Sequence, residues 1–153
     1  MELVISILFK MIVYGCFGLV LELIFSAIKK AVLEGWNDET KKLEGSVSLW
    51  MIPVYAIFLL FIFEPILGVI IVFPAWIRYL VWMLIFPTVE FLVGLFYDKM
   101  FNLKPWDYSD ENYNLMGYTK LTLLPWWGAC GLIIESYSGF LSYLSKTIII
   151  FFI

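Results

Sequence analysis

Histidine is missing from this 153-residue chain, which removes imidazole from every catalytic or metal-binding scheme. Charge is scarce too: ten Lys and Arg against thirteen Asp and Glu make 15% of the residues charged and leave a net charge of −3. Phosphate backbones require a concentrated basic surface, so nucleic acid is excluded as a partner. The two cysteines, Cys16 and Cys130, each sit in an apolar run, which argues against a disulfide scaffold and leaves the redox compartment unread. No GxxxxGK[ST] phosphate loop occurs, and neither HExxH nor GxSxG is present. No cofactor is therefore expected, and no residue is assigned a catalytic role. Glu2 stands where a secretion signal would carry basic residues, and no small-residue cleavage site follows, so the first apolar run is expected to be a retained span.

What is abundant is apolar surface: 63% hydrophobic residues, 20% aromatic, and a mean hydropathy of +0.93. One soluble core cannot hide that fraction. The expected fold is an all-α integral membrane protein, a single transmembrane domain over residues 1–153 built as a bundle of four transmembrane helices with interfacial segments. A span needs roughly 20 apolar residues, and charged residues used as rulers place spans at about 11–28, 45–63, 79–97 and 124–145. The last is started by the tryptophans at 126 and 127, taken as an interfacial belt. Residues 64–78, EPILGVIIVFPAWIR, are too short to cross again and are expected to lie in the interface, with Glu64 at its edge and Trp76 and Arg78 as anchors. The first nine residues and the tail TIIIFFI are read as lying similarly or packing on a neighbouring subunit. Lysines concentrate at 29–44 and 98–120, which puts these loops in the cytoplasm and both termini outside.

Two stretches share a pattern: YGCFGLVLE at 14–22 and WGACGLIIE at 127–135. On a helix, Gly15, Gly18 and Glu22 fall on one stripe, as do Gly128, Gly131 and Glu135. Glycines permit close helix approach where lipid supplies no hydrophobic drive, so the carboxylates are expected to face protein. A third face carries Glu90, Gly94 and Asp98. Counting about 1.5 Å per residue from the cytoplasmic edge places Glu22, Glu90 and Glu135 at similar depths of roughly 10–13 Å. Ionised groups at such depth are costly and default to function, so the three acids are expected to converge as a proton- or cation-binding cluster. The competing reading is interhelical hydrogen bonding that merely holds the bundle in register.

The loop DKMFNLKPWDYSDENYNLMGYTK at 98–120 combines turn formers with Trp106, Asp107, Tyr108 and Asn114. Composition alone makes it a connecting loop or a lid over the bundle mouth. GLVLE at 18–22, SLWMIPVY at 48–55, EFLVGLFYDKMFN at 90–102, PWDYS at 105–109, NLMGY at 114–118 and PWWGACGLIIE at 125–135 together resemble the CmpB-like family of small integral membrane proteins, bacterial chains labelled type IV ABC-transporter, with related small vertebrate transmembrane proteins. The resemblance spans nearly the whole chain. It implies that Glu22, Glu90, Trp106, Asp107, Tyr108, Asn114, Gly117 and Glu135 occupy the family's motif positions, and that the setting is a bacterial cell membrane. The abbreviated loops and the apolar tail depart from the family pattern.

Three classes of function follow. The leading one is a small transport or channel protein, a homo-oligomer in the lipid bilayer, with glutamates lining an ion- or proton-binding site. The alternative is a non-catalytic membrane subunit that binds a partner protein or lipid, or an ABC-type permease subunit. Lacking a phosphate loop, such a permease needs a separate ATPase. An intramembrane lipid-acting enzyme ranks last, because no nucleophile has a partnering base.

Overall fold

The computed structural model describes the backbone of residues 2–152 and the side chains of residues 3–147. The chain is 75% helical. In order, α1 runs Glu2–Glu34, α2 Met51–Phe58, a π-helical stretch Leu59–Phe63, α3 Glu64–Ile70, α4 Ala75–Phe101 and α5 Leu124–Phe152. A two-stranded antiparallel hairpin pairs β1 (Asn114–Leu115) with β2 (Thr119–Lys120). Three helical stretches among the described residues, Leu3–Glu34, Met51–Ile70 and Ala75–Phe101, are long and apolar enough to cross a membrane.

The contacts form two compact units, one running to Phe63 and the other covering Glu64–Phe152. In the first, α1 packs on α2, because Gly15 faces Ile52 and Gly18 faces Tyr55. Tyr14, Leu59 and Phe63 are its most deeply buried side chains. The connection between the helices is held by Asn37, whose Oδ1 accepts from the Glu39 and Thr40 amides, and by the buried Thr40 hydroxyl, which donates to the Gly35 carbonyl at 2.6 Å. Gly45 then backs onto the Leu23 carbonyl and Ser26, so any side chain there would collide with α1.

In the second unit α4 packs on α5 around the fully buried Trp82. Phe86 stands edge-on to Trp82 and stacks on Trp127 with ring centres 5.6 Å apart. Pro87 is buried inside α4. Its missing N–H leaves a carbonyl one turn back without its helical partner, and the next residue, Thr88, turns its own hydroxyl back to the Leu84 carbonyl at 2.7 Å.

Several boundaries differ from those read off the charges. The helix after residue 45 starts only at Met51 and continues to Ile70, so Glu64 lies inside a span-length helix rather than at its edge. Residues 64–78, expected to lie in the interface, form the end of that helix, a turn at 71–74 and the beginning of α4, with Pro74 as its N-cap. Pro65 gives the physical reason for the π-helical stretch before it: without an N–H it cannot bond the Phe61 carbonyl, and the widened turn absorbs the gap without ending the helix. Residues 2–9 belong to α1. The side chains of the tail beyond Thr147 lie outside the described residues.

Candidate polar sites on glycine-bearing helices

The repeated glycine-to-acid spacing makes one kind of socket three times. In the first unit the Tyr55 ring lies against Gly18, and its hydroxyl donates to Glu22 Oε2, one turn further on, at 2.7 Å. The Ser48 backbone N–H also reaches Glu22, so this acid holds the entry to α2. In the second unit the Trp82 ring lies against Gly131, and its indole N–H donates to Glu135 Oε1 at 2.7 Å. The third copy is on α4: the Tyr118 ring lies against Gly94 and its hydroxyl donates to Asp98 Oδ2 at 2.5 Å. In each case a glycine gives room for a flat ring, and the carboxylate four residues later accepts from its polar tip. Gly15 and Gly128 add shelves one turn earlier, occupied by Ile52 and the Tyr79 ring.

Glu135 has a second partner. The Arg78 Nε donates to both its oxygens, at 3.1 and 2.9 Å, and Arg78 Nη1 donates to the Phe73 carbonyl at 2.6 Å. The Glu135 side chain is 8% exposed and Arg78 19%, so this ion pair is desolvated and gains from every donor it has. Beside it opens a groove of about 360 Å³ between α3 and α5, lined by Glu64, Leu67, Gly68, Ile71, Glu135, Ser138, Gly139 and Ser142. Ser138 is buried, with its hydroxyl 3.5 Å from Glu64 Oε1.

Glu90 belongs to the hairpin. Thr119 Oγ1 donates to its Oε2 at 2.5 Å and the Tyr108 hydroxyl to its Oε1 at 3.1 Å. The Trp127 indole N–H is buried without completing a hydrogen bond of normal geometry; Glu90 is the acceptor within its reach. The loop expected as a connection or lid is thus a folded element clamped to α4. Trp106 Nε1 donates to the Tyr118 carbonyl at 2.7 Å, and its ring also abuts Gly94. Asp107 Oδ1 accepts from the Ser109 hydroxyl and amide at 2.5 and 2.9 Å. These Ser109 bonds, ahead of the Lys104 ammonium, hold the Asp107 carboxyl below its usual range. Asn114 spans the turn, accepting from the Gly117 amide and donating to the Glu111 carbonyl. Lys120 pairs with Glu111. The Asp98 bond pushes the Tyr118 phenol above its ordinary pKa.

The expected convergence of three acids is not what these partner sets describe. Glu22 is tied within the first unit. In the second, Glu135 is level with Arg78 and Trp82, whereas Glu90 lies eight residues beyond Trp82 on the same helix, about 12 Å along its axis. Among the described residues no group of three or more acidic or cysteine side chains is arranged to hold a metal. The depth count rests on the tryptophans at 126 and 127 as an interfacial belt, and of these Trp126 is exposed and Trp127 half-buried. Trp127 is stacked on Phe86 beside Glu90, and Glu135 is a further two turns beyond it. The partners Tyr55, Trp82, Tyr118 and Thr119 were not singled out from sequence, and Arg78 was read as an interfacial anchor. A lone cation at the head of an apolar helix is the signal that could have pointed to an acid partner.

The fold and these sites define an all-α chain with span-length apolar helices, in which half-buried carboxylates fasten aromatic tips to glycine-bearing faces. Over residues 9–151 it matches, and belongs to, the family described as "Putative ABC-transporter type IV". No curated protein and no solved structure matches it.

Proposed function

We propose that the protein is an integral membrane subunit of a transport system, its apolar helices crossing the bilayer and Glu135 serving as the proton- or cation-responsive group. Membership of the transporter family over residues 9–151 carries this reading. Three helices of sufficient length support the membrane placement, as do exposed Ile12, Val20, Leu84 and Leu92 along their flanks, since lipid-facing side chains need no protein cover. Glu135 is preferred to the other two acids because it is nearly buried, ion-paired and beside an open groove that also holds Glu64. Buried intramembrane ion pairs of this kind mark pathways for ions or protons. Glu22 and Glu90 are assigned to holding α2 and the hairpin. Without a phosphate loop, any ATP-driven step belongs to a separate ATPase subunit.

The test is proton or cation flux in liposomes containing the purified protein. Glu135→Gln keeps an acceptor for Trp82 but removes the charge that Arg78 meets, and flux should fall at least tenfold. Glu90→Gln should lower thermal stability and leave flux within about twofold. A second reading, a non-catalytic membrane subunit, is favoured by the fact that Glu22, Glu90 and Glu135 each have donors. It stands if wild-type protein carries no flux and co-purifies stably with another membrane protein.

A further inference from the structure

Seven glycines lie in helices, and what faces them separates into two groups. Gly15, Gly18, Gly94, Gly128 and Gly131 are each covered by a neighbouring side chain. Gly68 and Gly139 face open space: a Cβ at either would meet nothing within 4 Å. Both line the groove beside Glu64. Gly68 stands one turn after Glu64 on the same helical run, which is the glycine-and-acid spacing of the filled sockets in reverse order. On α5, Gly139, Ser142 and Tyr143 fall on one side of the helix. Tyr143 is 71% exposed.

We propose that the groove is the docking surface for a second copy of this chain, and that Tyr143 of each copy fills the other's Gly68–Gly139 socket and donates its hydroxyl to Glu64. The proposal rests on the membrane placement above, because two copies inserted in the same sense are related by a two-fold axis along the membrane normal, with their α5 helices parallel. The contact is then isologous: the same patch, used twice. Helical side chains lean toward the N-terminus and cover the turn before their own Cα. Tyr143 therefore extends over the level of Gly139, and across a parallel pair it meets the open glycines of its partner. Its tip arrives level with Ser138, where Glu64 lies. A carboxylate offers about four lone-pair sites, so Glu64 accepts the phenol in addition to its existing contacts. Complementarity is chemical as well as steric: an apolar ring for two bare glycines, and an O–H for an acid, as Tyr55 and Tyr118 already supply within the chain. In this dimer Glu64 and Glu135 of both copies border one shared seam.

The experiment counts subunits of the full chain in phosphatidylcholine–phosphatidylglycerol liposomes by single-molecule photobleaching, with thermal unfolding measured alongside. Wild-type protein should bleach in two steps. Gly139→Leu fills the socket in space that is open within the protomer, so the fold should keep its wild-type midpoint while the bleaching becomes single-step. Tyr143→Phe keeps the ring and loses the hydroxyl, and should weaken dimerisation about 3- to 20-fold, the usual range for one intramembrane hydrogen bond. Ile133→Leu, on another exposed face of α5, should remain dimeric. With Cys16 and Cys130 replaced by Ser, Gly68→Cys combined with Tyr143→Cys should give an oxidant-dependent covalent dimer. A monomeric wild type, meaning that lipid chains occupy the groove, overturns the proposal; so does a Gly139→Leu variant that stays dimeric. Alkaline carbonate extraction separates the two layers of inference. Release from the membrane sinks the membrane placement, whereas a retained monomer sinks the dimer alone.

Discussion

At the scale of single residues, the informative unit is a glycine, an acid four positions later, and a ring with a donor at its tip. Tyr118 gives this unit a titration signature outside the apolar spans. Its phenol is raised above the ordinary tyrosine value of about 10 first by donating to Asp98 and then by burial. A raised value means that the folded state holds the proton more tightly. The contact therefore contributes in full below about pH 10 and is lost as pH climbs through the folded value. The difference in phenolate absorbance between wild type and Tyr118→Phe isolates this group from the other tyrosines, and should show a transition above pH 10. In an Asp98→Asn background the same difference should move back toward about 10. A transition unmoved by Asp98→Asn would mean that the hydroxyl does not bond there. Asp107 has the opposite sign: held low by Ser109 and then Lys104, its contribution is present above the unfolded carboxylate value of about 3.9 and fades as pH drops through the lower folded one.

At the scale of elements, the hairpin is where sequence reasoning reached least far. Turn formers and aromatics at 105–118 were visible, but nothing in the spacing of Trp106, Tyr108 and Tyr118 announced that all three would address α4. The bonds from Tyr108 to Glu90 and from Tyr118 to Asp98 join residues 18 and 20 positions apart and depend on a turn whose geometry Gly117 permits. Gly117 has φ +76°, and its Cα faces Asp107 Oδ1 and the Ser109 hydroxyl. Any side chain there meets both a left-handed backbone and a filled space. Gly117→Val should therefore destabilise the hairpin by about 2 kcal/mol or more, read as faster protease nicking between residues 102 and 120 while the helical circular dichroism is retained. The apolar helices were far more legible, because length and hydropathy alone mark them. Their ends were not. Lys10 and Glu64, taken as boundaries, both sit inside helices, since a long or partnered side chain can carry its charge from within a span. The stripe of Gly18 and Glu22 lies against Tyr55, and that of Gly131 and Glu135 against Trp82. What they face was legible only as "another helix", because the partner ring comes from a distant stretch that carries no matching pattern.

At the scale of the whole molecule, apolar flanks of span length argue for the bilayer, and the distribution of cations then argues for one orientation. Lys29, Lys30, Lys41 and Lys42 follow the first apolar run, and Lys99, Lys104 and Lys120 follow the third. The opposite ends hold Lys10, Arg78 and Lys146. Positive residues near span ends stay on the cytoplasmic side, whereas acids count little in that rule. The structure sharpens the imbalance, because Arg78 is engaged by Glu135 and the Phe73 carbonyl and is less available than a loop lysine to hold its end inside. Single cysteines at the exposed positions Glu39 and Asp110, in a chain with Cys16 and Cys130 replaced by Ser, should thus react with an impermeant maleimide only after the cells are opened. A cysteine at Val72, 79% exposed in the turn before α4, should react in intact cells. The reverse pattern would place the hairpin outside and overturn this orientation, leaving the Glu135 proposal to its own flux test.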